Sequence, residues 1–191
     1  TRCGVATAAE LSLVAGVAVH DAVCSVAGGR FPGLRVKWPN DILIADAKMG
    51  GVLIESGWVQ GGSLLAVVVG FGLNLTSAPG DNGRKLTFLA DHGIAADRHT
   101  MLPRVAEAMA IWLERWDEGR GFPGIRAAWL DRGGPLGERV SVNTGRERIE
   151  GRYTGLDETG ALRLADEAGC ERRFTFGDVT LLAEGLERGT N

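Results

Sequence analysis

The sequence predicts an α+β architecture: a mixed sheet with packed helices over residues 1–134, then a small C-terminal β-barrel over residues 135–191. Three observations carry this prediction. A long apolar stretch near the start repeats at helical spacing. Several short apolar runs bounded by Gly, Pro, Asn and Asp follow it. Beyond Gly133-Gly134-Pro135 the pattern changes to short alternating strands divided by turn residues. A chain of 191 residues that is 45% hydrophobic and 24% charged is long enough to bury one good core and a small second one.

In the first segment, Leu11, Val14, Ala15, Ala18, Val19 and Val23 recur at helical spacing between Ala8 and Ala27, and Gly28-Gly29 supplies a C-terminal stop. The apolar run Leu11 to Val26 is interrupted by His20 and Asp21, is short for a bilayer span and has no basic leader, so it reads as a buried helix. Leu34 to Trp38 reads as a strand stopped by Pro39, and Asp41 to Ala45 as its continuation. Gly51 to Glu55 and Leu64 to Val69 read as adjacent strands joined by the turn-rich Gly57 to Ser63.

Residues Thr76 to Asp97 are loop-like, with a short helical piece near Thr87 to His92. Thr100 is the expected N-cap of a helix that carries Leu102, Val105, Met109, Trp112, Leu113 and Trp116 on one face and ends at Gly119. Another short helix covers Ile125 to Leu130. In the tail, Asn143-Thr144-Gly145, Asp157 to Gly160 and Asp166 to Gly169 are hairpin turns of an all-β unit of roughly fifty residues, most simply a small barrel.

Twenty-one basic and 24 acidic residues give a net charge of −3 and are mixed along the chain, which gives no nucleic-acid or membrane footprint. Cys3, Cys24 and Cys170 are odd in number and far apart, with no zinc spacing, and fit reduced thiols in a cytoplasmic protein. His20, His92 and His99 show no metal spacing. There is neither a Gly-x-Ser-x-Gly elbow nor a Gly-x-x-x-x-Gly-Lys-[Ser/Thr] loop. Trp112, Trp116 and Trp129 sit at helical positions and read as packing residues.

Three segments place polar residues and glycines at strand ends. Lys37-Trp38-Pro39-Asn40-Asp41 presents an amide and a carboxylate from a rigid turn, suited to a ribose, a hydrated Mg²⁺ or a phosphate-bearing nucleotide; the same residues also read as an ordinary exposed turn. Lys48-Met49-Gly50-Gly51-Val52-Leu53-Ile54-Glu55 offers backbone N–H groups and a point charge for an anion, or else a hairpin turn. In Val69-Gly70-Phe71-Gly72-Leu73-Asn74-Leu75, alternate glycines strip one strand face and leave a slot for a flat or apolar ligand; the alternative is a bulged strand packed against the Leu11 to Val26 helix. A dinucleotide fingerprint fails here, because Leu75 stands where the third glycine belongs and Pro79 breaks the required helix.

Taken in order, Arg35 to Ile42, Lys48 to Glu55 and Val69 to Asn74 closely resemble the catalytic domain of bacterial biotin protein ligases, as do the Leu11 to Ala18 helix and the β-rich tail. The resemblance implies a class II synthetase-like catalytic domain with a small barrel of the Src-homology-3 kind. It also implies a two-step reaction that uses ATP, Mg²⁺ and biotin. Biotin's carboxylate attacks the α-phosphate to give biotinyl-AMP and pyrophosphate, and a lysine of biotin carboxyl carrier protein, as in acetyl-CoA carboxylase, then takes the biotin.

By the same resemblance Lys48 is the catalytic residue and contacts biotin, and Gly51, Gly70 and Gly72 line the biotin slot. Lys37, Asn40, Asp41 and Asn74 face ATP, with Asp41 near the metal. Family members carry an arginine- and glycine-rich loop upstream of this helix. That loop is not in this chain, which begins at Thr1 without a methionine, as a truncated or processed product does. The expectation is therefore a catalytic domain short of several strands, with an open sheet edge that favours self-association and a possible homodimer. No helix-turn-helix is present, so no DNA partner is expected. A binding module that has lost catalysis, and a lipoate or octanoate transferase, are the competing functions.

Overall fold

The computed structural model describes residues 4–59, 65–80 and 85–182. Thr1, Arg2, Cys3 and most of the turn expected between Gly57 and Ser63 lie outside these residues. Two helices open the chain, Val5–Ala9 (α1) and Leu11–Val26 (α2). Four strands follow: Leu34–Lys37 (β1), Asp41–Ile44 (β2), Ala47–Trp58 (β3) and Leu65–Leu73 (β4), in spatial order β1-β2-β3-β4. A mixed sheet was expected, yet every pairing among these four strands is antiparallel. The reason is local, since Trp38-Pro39-Asn40 and Ala45-Asp46 are connections too short for anything but hairpins.

The stretch Thr7–Val26 is long and apolar enough to cross a membrane by length and composition alone. Its surroundings make it a core helix: Val14, Ala15, Val17, Ala18, Val19 and Val23 are fully inaccessible, and α2 packs on the sheet as well as on both later helices. It stops as expected, with Gly28 left-handed at φ 80° and the Gly29 N–H donating back to the Cys24 carbonyl at 2.9 Å.

The long helix Arg98–Trp116 (α3) starts earlier than expected. Asp97, not Thr100, is its cap: the Asp97 carboxylate accepts from the Thr100 N–H at 2.8 Å and from its hydroxyl at 2.9 Å. Its buried stripe is Met101, Val105, Met109, Trp112 and Trp116. Leu102 and Leu113, expected in that stripe, are exposed, because each follows a stripe residue by one position and so lies about 100° round the helix. The last helix, Phe122–Arg132 (α4), is longer than Ile125 to Leu130, with Pro123 in its first turn, where a missing N–H costs nothing.

The half-buried Asp21 of α2 holds the three long helices together. It accepts from the Trp112 indole N–H on α3 at 3.0 Å and from the Arg132 guanidinium on α4 at 2.8 Å. Burial opposes its charge, but hydrogen bonds from His20, Arg132 and Trp112 together with the Arg132 charge win, and the carboxyl is lowered from 3.8 to about 2.

The tail forms Arg139–Asn143 (β5), Arg148–Leu156 (β6), Leu162–Ala165 (β7), Glu171–Phe174 (β8) and Asp178–Leu181 (β9), in order β8-β7-β6-β5-β9. All three expected turns are present, each organised by an Asn or Asp side chain: Asn143 accepts from Gly145, Asp157 from Thr159 and Ala161, and Asp166 from Ala168 and Cys170. The expected small barrel is seen as a five-stranded antiparallel sheet, with no β8–β9 pairing among the described residues. β8 and β9 are its two edge strands, yet only Thr175-Phe176-Gly177 joins them, a link too short to span a flat five-stranded sheet, so the sheet is strongly curled.

One apolar cluster runs from α2 through both sheets to Val179. Polar ties reinforce the junction. The buried Trp38 indole donates to the Gly160 carbonyl at 3.1 Å, Arg126 donates to the carbonyls of Leu156 and Asp157, and Arg35 bridges Asp46 and Glu138.

Two outcomes follow from these contacts. Asp21 stabilises the fold by about 1–2 kcal/mol after allowing for solvent screening, a contribution present above the unfolded-state pKa of 3.8 and lost as pH falls through about 2; urea titrations at stepped acidic pH should show that loss in the native chain and a flatter profile in Asp21→Asn. A Cβ at Gly50 would lie 2.5 Å from the Gly72 carbonyl and 2.7 Å from Leu73 Cδ2, whereas one at Gly57 meets nothing within 4 Å. Gly50→Ala should therefore cost about 2 kcal/mol or more by urea unfolding, and Gly57→Ala well under 1 kcal/mol.

Candidate active site

The three motifs meet at one corner of the first sheet. Lys48 to Glu55 is not a hairpin turn but the middle of the continuous strand β3. The pairing sets Gly51 opposite Gly72 and Leu53 opposite Gly70, so these four positions share one face. A Cβ at Gly72 would find only the Gly51 carbonyl, at 4.0 Å, and one at Gly70 only Leu53, at 3.6 Å and beyond. Gly70 and Gly72 thus open onto free space and do not pack against α2, while a Cβ at Gly51 would meet the Asn40 carbonyl and Lys48 Nζ at 3.3 Å. Above them lies a cavity of about 570 Å³, walled by Asn40, Lys48, Leu53, Phe71 and Asn74 and completed by Pro79 and Leu86. Its floor is peptide backbone, flat and without side chains, and only a few polar groups reach it.

Lys37 to Asp41 is a buried corner and not an exposed turn: Trp38 and Asp41 are both almost inaccessible, and the Trp38–Pro39 peptide is cis. The Ser12 hydroxyl of α2 donates to the Pro39 carbonyl at 2.9 Å. Asn40 is locked to β3 in two places, its amide donating to the Val52 carbonyl at 2.7 Å while its own carbonyl accepts from the Val52 N–H at 2.8 Å. Asn74 works similarly: its amide donates to the Thr87 carbonyl at 3.0 Å, its N–H donates to Met49, and its carbonyl accepts from Leu89. Both asparagines line the cavity and also hold its walls together.

Lys48 stands between this cavity and a second cleft of about 360 Å³ that opens between the two sheets. The second cleft contains Lys37, Asp41 and Lys85 on one side and Asp178 to Leu182 on the other. Asp41 is held by both neighbours: Lys37 Nζ lies 2.8 Å from one carboxylate oxygen and Lys48 Nζ forms a short ion pair with the other. Burial would raise the Asp41 pKa, but the charge and hydrogen bond of Lys37, then those of Lys48, pull it below the ordinary carboxylate value. Lys37 also donates to the Val179 carbonyl of β9 at 2.6 Å.

The structure therefore brings Asn40, Lys48, Gly51, Gly70, Gly72 and Asn74 around one cavity and places Lys37 and Asp41 in the adjoining cleft. A direct metal role for Asp41 does not fit this arrangement, since a cation would have to displace two ammonium groups from a buried carboxylate. Among the described residues no group of three or more His, Cys, Asp and Glu is placed to hold an ion. Lys85, Leu86 and the Val179 carbonyl were not foreseen. Lys85 and Leu86 arrive through a parallel bridge between Lys48 and Leu86, a non-local pairing that no periodicity announces. The Val179 contact is made by backbone, which a side-chain pattern does not encode.

Comparison with known proteins gives a consistent picture. Residues 3–131 match the Biotin/lipoate A/B protein ligase family, and residues 136–182 match the Biotin protein ligase C terminal domain. A biotin–[acetyl-CoA-carboxylase] ligase of Paracoccus denitrificans is 39% identical over 87% of this chain and 70% of its own length. One from Mycobacterium tuberculosis is 33% identical over 90% of this chain and 62% of its own. The bifunctional ligase/repressor BirA of Escherichia coli is 26% identical, and this chain spans 54% of it. Among solved structures, the apo biotin protein ligase of Aquifex aeolicus superposes with a TM-score of 0.75 at 25% identity, covering 92% of this chain and 76% of that one. The same ligase in complex with biotin and ATP gives 0.73 at 26% identity, covering 91% and 71%. On the match of residues 3–131 and the likeness to the Paracoccus ligase, the chain belongs to the biotin/lipoate A/B protein ligase family.

Proposed function

We propose that this chain is a biotin–[acetyl-CoA-carboxylase] ligase: it joins biotin to ATP as biotinyl-AMP and passes the biotin to a lysine of the carboxyl carrier protein. The observation that carries this is the place of Lys48, in the wall between a glycine-floored cavity and a lysine-bearing cleft. A volume of about 570 Å³ lies within the ordinary range for small-molecule sites. The backbone floor at Gly51, Gly70 and Gly72 suits a ureido ring and an aliphatic chain, which need close approach and few polar partners.

The chemistry asks for no enzyme nucleophile. In the first step a carboxylate oxygen attacks the α-phosphorus and pyrophosphate leaves. Two anions must approach each other, and negative charge gathers on the phosphoryl oxygens, so a fixed cation at the junction lowers the barrier by neutralisation and by alignment. Lys48 supplies that cation. Its pairing with the buried Asp41 limits where the ammonium can lie, which is the preorganisation such catalysis requires. In the second step the neutral acceptor amine attacks the anhydride carbonyl, AMP leaves, and the amine gives up its proton.

The test is biotin-dependent ATP–pyrophosphate exchange. Lys48→Ala should lower the exchange rate about a hundredfold or more while circular dichroism stays unchanged; exchange at the unmodified rate would remove Lys48 from the mechanism. Exchange driven by lipoate and not by biotin would transfer the chain to the lipoate side of the family. Silence with both, together with measurable biotin binding, would make it a binding module.

A further inference from the structure

Among the described residues, one polar contact from the C-terminal sheet to the candidate site connects onward to Lys48. The Val179 carbonyl on β9 accepts from Lys37 Nζ at 2.6 Å, Lys37 pairs with Asp41 at 2.8 Å, and the other oxygen of Asp41 is paired with Lys48. Lys37 and Asp41 line the cleft between the sheets, while Lys48 alone of the three lines both the cleft and the glycine-floored cavity. Neither Lys37 nor Asp41 is therefore placed to touch a molecule in that cavity. What they touch is each other, β9 and Lys48.

A lysine ammonium on a flexible four-carbon stem is a poor positional device unless something fixes it. Asp41 can fix Lys48 only if Asp41 is itself immobile. Its backbone is set in β2 opposite Lys37 and Gly51, and its side chain is 7% exposed. The rotation left to the carboxylate is restrained by Lys37, whose second bond runs to a carbonyl in the other sheet. The anchor is a main-chain atom and moves only with β9.

We propose that Lys37 and Asp41 are positioning residues that form a relay from β9 to Lys48, so that the C-terminal sheet sets where the reactive ammonium stands. This rests on Lys48 being the catalytic residue proposed above. It assigns Lys37 and Asp41 to holding that residue and not to gripping the nucleotide.

Two measurements on the whole chain test it. The first does not depend on activity: competitive acylation with acetic anhydride, read lysine by lysine by mass spectrometry. Asp41→Asn should raise the labelling rate of Lys48 severalfold, with Lys85 as an internal reference. Lys37→Met should raise it in the same direction, and Lys37→Arg, which keeps both the charge and the donor, should restore it. If only the local Asp41–Lys48 pair mattered, removing the competing Lys37 would leave Lys48 equally or better protected, and that result overturns the relay. Lys37→Gln, which keeps a donor for Val179 without the charge, serves should Lys37→Met fail to give native circular dichroism.

The second measurement is pyrophosphate exchange by the same variants. A misplaced ammonium predicts a loss in kcat of tenfold to about a hundredfold with the KM for ATP and biotin little changed. A raised KM for ATP at unchanged kcat would make Lys37 and Asp41 nucleotide contacts and overturn the proposal. Absence of exchange in the unmodified chain would count against the proposed function, and labelling would still decide the relay.

Discussion

Asp41 carries a charge in a place where charge is expensive. A carboxylate taken this far out of water costs several kcal/mol unless it is paired, and two lysines from opposite directions pair it. Much of the local structure follows from meeting that requirement. The β1–β2 hairpin must turn at Trp38-Pro39-Asn40 so that Lys37 and Asp41 face one another. β3 must register so that Lys48 comes alongside Asp41, and the second sheet must offer a carbonyl where Lys37 has a donor to spare. The irregularity in the β2–β3 pairing between Ile42 and Leu43 falls beside this corner, where a local register shift redirects side chains.

The second constraint is an absence of side chains. Gly51, Gly70 and Gly72 lie in register on neighbouring strands, and any Cβ there projects into the cavity or against Lys48. Glycine in a strand is a liability for stability, because it packs nothing and loses more entropy than other residues on folding. Three at facing positions are intelligible when the space above them is needed. Gly50 is a different case, excluded from substitution by the Gly72 carbonyl pressing on it from β4. Nearby glycines thus serve opposite ends, one for close packing and the others for an opening.

Much of this was legible in the residues. The α2 periodicity, its Gly28-Gly29 stop and all three tail turns follow from local chemistry and stand as expected. Strand alternation likewise puts Gly70 and Gly72 on one face of β4, as their spacing predicts. What escaped is non-local. The α3 stripe was placed one residue off at Leu102 and Leu113 because an apolar residue beside a stripe residue is indistinguishable from it without knowing what packs there. The Lys37 to Asp41 segment, whose residues alone leave an ordinary exposed turn open, is a buried corner. Its burial is imposed by α2 through Ser12 and by the second sheet through Gly160.

The claim on which the rest turns is that the glycine-floored cavity and Lys48 form one site for an acyl-adenylate. Its most direct measurement is isothermal titration calorimetry of the chain with biotinol-5′-AMP, a stable analogue of biotinyl-AMP, in parallel with Gly70→Val. One-to-one binding by the native chain, lost in the variant while the circular dichroism of the two proteins coincides, is the predicted result. Equal binding by both would place the ligand elsewhere and contradict the assignment of this cavity.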